Sequence, residues 1–135
     1  MIRFAMICGV LVLANLGSAV WAQDTEAGEF YYRQFCVACH GLTGQGDGPA
    51  AAALRVPPAD LTGLSARNGG RFPMQRVIAT IDGRIAPGAH GSDMPVWGSF
   101  FAQEADTEGL GLAGSALQTR GRILMLATYL ATLQP

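Results

Sequence analysis

Two thiols and an imidazole fall within five consecutive positions, Cys36-Val37-Ala38-Cys39-His40. On an α-helix, at about 100° per residue, Cys39 lies about 60° to one side of Cys36 and His40 about 40° to the other. The three side chains therefore share one arc of about 100°. Two thiols so placed can add to the two vinyl groups at one porphyrin edge, while the imidazole reaches the iron from beneath the ring. This is the chemistry of covalent haem attachment, for which C-x-x-C-H is the sequence pattern. Two competing readings are weaker. A redox-active C-x-x-C expects a strand and a βαβ unit around it, and none surrounds this pair. A Cys₂His₂ zinc site from Cys36, Cys39, His40 and His90 lacks a second closely spaced ligand pair.

Other residues fall into a pattern around this motif. Gly28 and Tyr32 stand eight and four residues ahead of Cys36, and Leu126-Ala127-Thr128-Tyr129-Leu130 lies near the C-terminus. Gly41, Gly44, Gly46, Gly48 and Pro49 follow the motif, then Pro57-Pro58-Ala59-Asp60-Leu61-Thr62, and later Met94-Pro95-Val96-Trp97. In these features the chain resembles the class I c-type cytochromes of bacteria. The resemblance implies a small all-α fold, helices and Gly/Pro-rich loops wrapped around one covalently bound haem c and its iron. Cys36 and Cys39 would form the thioethers, His40 would be the proximal iron ligand and Met94 the distal one. The motif opens the domain rather than closing it, which separates the chain from the four-helix cytochromes resembling cytochrome c′.

The sixth ligand decides the function, and the residues themselves favour Met94. Met125 lies off the centre of a helical apolar face made by Ile123, Leu126, Ala127, Leu130 and Leu133. Met74 follows Pro73 at an expected helix start, where a methionine fills gaps in the core. Met94 follows a Gly-rich stretch and precedes Pro95, which disfavours helix at that position. A loop methionine opposite histidine raises the reduction potential and completes the iron coordination. His90 is the rival; bis-His ligation would lower the potential. The simpler reading of His90 is a solvated loop residue.

Metal-bound histidine usually donates its second ring N–H to a carbonyl or carboxylate. The resemblance points to a proline carbonyl, that of Pro57 or of Pro58. Trp97 is expected either at the haem edge, its indole N–H reaching a propionate, or in plain core. Tyr129 is expected to pack against the Gly28 segment. Arg67, Arg71, Arg76 and Arg84 form a basic middle segment and Glu104, Asp106 and Glu108 an acidic one. Such asymmetry can steer a partner, although more often it is a solvated face.

The elements that must position these groups follow from periodicity and punctuation. A helix is expected from about Thr25 into the motif, then a Gly/Pro loop, in which the plain reading of Pro57 and Pro58 is that they end a local helix over 49–54, and a short helix near 73–81 ended by Gly83. The Met94 loop is expected to lead into 96–104 and a Gly-rich connection, and a final helix is expected over 115–133 with Ser115 as N-cap. Residues 1–22 combine Arg3, an apolar run from Phe4 to Leu16 and Val20-Trp21-Ala22, the three-part pattern of a secretory signal cleaved after Ala22. The alternative is an uncleaved anchor, since Phe4 to Ala22 is just long enough to span a membrane. The domain would then be 23–135. Net charge is −1 at pH 7, which argues against a nucleic-acid partner. The expected protein is thus a periplasmic single-electron carrier with no reaction of its own, exchanging electrons with periplasmic or membrane redox proteins. Membrane contact is expected only through a retained leader or a membrane-bound partner. All nine basic residues are arginine, so the lysine-ring docking of many family members is not available here. The alternatives are a haem subunit of a larger redox complex, and an enzyme or gas sensor with a labile sixth ligand.

Overall fold

The computed structural model describes residues 23–85 and 94–135; the expected leader and His90 lie outside the described residues. The described chain is all-α. Helix α1 covers 23–35, and α2, Val37–His40, continues it with only a slight break at Cys36. Helical hydrogen bonding runs on through the break, from Cys36 N to the Tyr32 carbonyl and from His40 N to the Cys36 carbonyl. Two single 3₁₀ turns follow, Ala51–Ala53 and Ala66–Asn68. Then come α3, Met74–Asp82, α4, Trp97–Thr107, and α5, Gly111–Thr132. Among the described residues no helix is long and apolar enough to cross a membrane.

The short connection 108–110 folds α4 and α5 into an antiparallel hairpin. Arg122 on α5 pins the pair, donating to Glu104 at 2.9 Å and Glu108 at 3.1 Å, with its guanidinium 5.8 Å from the rings of Tyr31 and Phe101. Two members of the expected acidic segment are therefore spent on a helix brace. Helix α1 crosses the second half of α5 at Gly28, where a β-carbon would collide with the Met125 carbonyl and sit 2.8 Å from Tyr129 Cβ. Tyr129 thus packs on the Gly28 segment as expected. Tyr32, Phe101 and Leu126 are the largest fully buried side chains, joined by Ile123, Ala127 and Leu130 along α5.

Two element boundaries differ from expectation. The local helix over 49–54 shrinks to one 3₁₀ turn. The final helix starts four residues earlier than Ser115, with Leu110 as its N-cap; Ser115 is buried inside it, and its hydroxyl makes no hydrogen bond among the described residues. Residues 111–113 are exposed, and the first buried residue of α5 is Ser115, so the Gly/Leu-rich turn is an exposed extension of a helix anchored from Ser115 onward. At Gly121, inside α5, an added β-carbon meets nothing within 4 Å. The two helix glycines should respond with opposite sign. Gly28→Ala forces backbone apart and is expected to cost about 1–3 kcal/mol in denaturant unfolding, whereas Gly121→Ala should gain about 0.5–1 kcal/mol.

Candidate haem site

The end of α2 is finished by the loop that follows it. Gly41 N, Ala50 N, Gly48 N and Gly46 N donate to the carbonyls of Val37, Ala38, Cys39 and His40, at 2.8–3.1 Å. These are the four carbonyls that a helix end leaves without partners. Gly48 is required for that approach, because a β-carbon there would overlap the Val37 and Ala38 carbonyls. The Gly-rich run is therefore a cap that fixes the direction of the motif. A further clamp comes from Tyr32, whose hydroxyl donates to the Gly41 carbonyl at 2.7 Å.

Cys36 and Cys39 are free thiols, and both border one cavity of about 330 Å³ together with His40. Burial, with Cys39 adding to it, pushes the Cys36 thiol up to about 12, so the group stays protonated and apolar in character. Nδ1 of His40 lies 3.0 Å from the Ala59 carbonyl oxygen. A carbonyl can only accept, so Nδ1 carries the proton, leaving Nε2 of the neutral ring with its lone pair. Burial lowers the His40 pKa, against an opposing contribution from the Ala59 hydrogen bond. The ring is thus held neutral, the form that binds metals.

The orienting carbonyl is that of Ala59, which corrects the expected choice between Pro57 and Pro58. Both prolines line the cavity, but the Pro58 carbonyl faces the Gly46 backbone, so closely that a β-carbon at Gly46 would overlap it. The two prolines set the extended course of the chain and the next carbonyl inward is used. Met94 lines the same cavity and is half-buried against the core. Trp97, the first residue of α4, lines it too while also packing on Phe35, Phe100 and Phe101, in the core contact expected of it. Met74 packs on the core outside the cavity lining, and Met125 is half-buried with its carbonyl against Gly28.

Sequence reasoning missed α3 as a cavity wall. Arg76, Val77, Thr80 and Ile81 form one face of that helix at the cavity, and Arg76 brings a cation to it. The i, i+1, i+4, i+5 spacing was visible, but nothing in the sequence says what that face meets. Leu61 and Leu64 close the wall near His40, while Leu126 and Leu130 contribute from α5.

A helix-borne thiol pair, a neutral imidazole, a methionine and mostly apolar walls around one slot define a covalent haem protein. The family model for cytochrome c matches residues 25–109, and the chain belongs to that family. Its members bind haem c covalently, with iron, and work by haem-based electron transfer. Comparisons with curated proteins and with solved structures give no match.

The Tyr32 clamp generates a prediction about pH. Burial first, then the neighbouring Cys36, raises the Tyr32 pKa above its ordinary value of 10.0. Folding stability from this phenol is fully present below pH 10 and declines as pH rises further, because only the unfolded chain has then released the proton. Tyr32→Phe should cost about 0.5–1.5 kcal/mol at neutral pH, by removing the short bond to the buried Gly41 carbonyl and leaving it only the 3.4 Å bond from Gly44 N. It should also flatten the alkaline limb of a stability-versus-pH curve measured by urea unfolding.

Proposed function

We propose that this chain is a single-haem electron carrier in which Cys36 and Cys39 form the thioethers, His40 Nε2 is the proximal ligand and Met94 the distal one. The observation that carries the reading is that all four groups border one mostly apolar slot, with the second nitrogen of His40 already engaged by Ala59. When bound, haem supplies a one-electron iron couple. Everything else falls to the chain. The thiols fix the edge of the group, and α2 with its loop cap fixes the thiols. The Ala59 carbonyl increases the donor strength of His40 by drawing on its Nδ1–H. Met94 adds a neutral thioether, which favours the reduced form relative to a second imidazole. Leu61, Leu64, Val77, Ile81, Leu126 and Leu130 would keep water from the slot, and Arg76, at its lining, would neutralise a propionate carboxylate. With His40 and Met94 both holding the iron, substrate would have no open place on it and the work would be electron exchange.

The proposed setting is the periplasm, reached through a leader cleaved after Ala22, with periplasmic or membrane redox proteins as donor and acceptor. A second reading, a haem-bearing subunit of a larger redox complex, has one observation in its favour. Leu112 is 89% exposed and Leu117 74%, and with Ala113 and Ala116 they form an uncovered apolar face on the first half of α5, away from the slot. Sedimentation of the holoprotein in a native extract separates the two: at the mass of the monomer it supports the mobile carrier, and in a larger assembly from which Leu117→Ser releases it, the subunit.

The axial assignment is tested by the optical spectrum of the ferrous protein with and without carbon monoxide. The wild-type spectrum should not change, and Met94→Ala should bind the gas readily. Ready binding by the wild type would overturn the carrier reading in favour of an open-site enzyme or sensor. Double substitution Cys36→Ala with Cys39→Ala should leave haem extractable by acid and organic solvent, whereas the wild type retains it.

A further inference from the structure

Beyond the end of α5, the side-chain amide of Gln134 makes three hydrogen bonds, all to backbone. Its Nε2 donates to the carbonyls of Leu61 and Leu130, each at 2.8 Å, and its Oε1 accepts from Ser65 N at 2.9 Å. Both amide protons and the oxygen are engaged, and the side chain is partly buried. The Leu130 contact caps one of the last carbonyls of α5, an ordinary task at a helix end. The other two reach across 73 and 69 residues to the segment 61–65.

That segment continues directly from Ala59. Leu61 N donates to the Gly44 carbonyl at 2.6 Å, within the loop that caps α2, and Arg67 donates to the Asp60 carbonyl. Residues 59–65 thus form a strap between the His40 loop and the C-terminus, and Leu61 is tied on both sides, through its N–H to Gly44 and through its carbonyl to Gln134. The Asp60–Thr62 turn is internal to the strap and cannot fix its distance from α5. Leu61 and Leu64 from the strap and Leu126 and Leu130 from α5 line the same cavity, so Gln134 also joins two of its walls.

We infer that Gln134 is a positioning residue for the haem iron: it holds the strap at the height where the Ala59 carbonyl meets His40 Nδ1. The inference rests on His40 being the proximal ligand. Loss of the Gln134 bonds leaves Ser65 N–H and the Leu61 carbonyl without their partners and frees the strap. The His40–Ala59 hydrogen bond then weakens, the imidazole becomes a poorer electron donor, and the oxidised iron is less well stabilised.

The test uses the haem-loaded protein, with proton exchange followed by NMR in the ferrous state and the midpoint potential by titration. In Gln134→Ala, exchange of both the His40 Nδ1–H and the Ser65 amide should quicken about tenfold, and the potential should rise. Gln134→Met, which keeps the stem and removes all three bonds, should behave the same way and serves if the alanine variant fails to accumulate. Thr132→Ala removes a different bond at the same helix end, Thr132 Oγ1 to the Tyr129 carbonyl at 2.7 Å, and should leave the His40 signal and the potential unchanged. Faster Ser65 exchange and lower unfolding stability, with His40 exchange and potential as in the wild type, would reduce Gln134 to a helix cap and overturn the inference. Absence of an iron-bound His40 signal from the wild type itself would instead remove the proximal assignment, and the positioning role with it.

Discussion

The His40–Ala59 hydrogen bond is the contact on which the rest of the site depends. One carbonyl decides which ring nitrogen carries the proton, which way the imidazole faces and how strongly it donates. It joins a residue at a helix end to a residue 19 positions later, so both sides must be immobile for the bond to act. On one side, the four terminal carbonyls of α2 are consumed by the loop behind it, and Tyr32 adds a fifth tie through Gly41. On the other, Ala59 sits in a strap whose neighbours are bonded to Gly44, Arg67 and the C-terminal amide. An imidazole mounted on a short helix without this support would turn freely about its side-chain bonds.

The hydrophobic core is arranged around a volume intended for another body. Few large side chains are fully buried, and many of the remaining apolar groups, Phe35, Leu64, Ile78, Met94 and Trp97 among them, are only partly covered by protein. A chain of this size has a modest core, and a large flat apolar cofactor enlarges it while keeping the iron in a low-dielectric setting. The same logic explains the neutral state of the groups facing the slot. Burial raises the thiol of Cys36 and lowers the imidazole of His40, so desolvation favours the uncharged form of each.

Away from the slot, α4 and α5 form a rigid backing. Arg122 gathers Glu104, Glu108 and two aromatic rings, with its side chain only 12% exposed. From there an aromatic cluster, Tyr31, Phe35, Phe101 and Trp97, leads to the slot. Burial of α5 begins at Ser115 and Thr119, and the Gly/Leu-rich first turn, expected as a loop, is an exposed extension of the helix anchored there.

The chemistry was legible in the sequence because it resides in local spacing. Cys36, Cys39 and His40 need only a helix to share one arc, whereas the packing of Tyr129 on Gly28 was expected from the resemblance to a known family and not from spacing. The apolar face from Ile123 to Leu130 was equally readable, since a 3.6-residue period requires no knowledge of a partner. Tertiary structure decided the rest, for a common reason: each case is a contact between segments far apart in the chain. Ala59 rather than a proline meets His40 because the Pro58 carbonyl faces the Gly46 backbone and the next carbonyl along faces the ring. Arg76 joins the cavity because α3 docks with that face inward, and Gln134 matters only because α5 ends beside the strap. Sequence specified which groups can bind and hold iron; the fold alone decided which backbone atoms hold those groups in place.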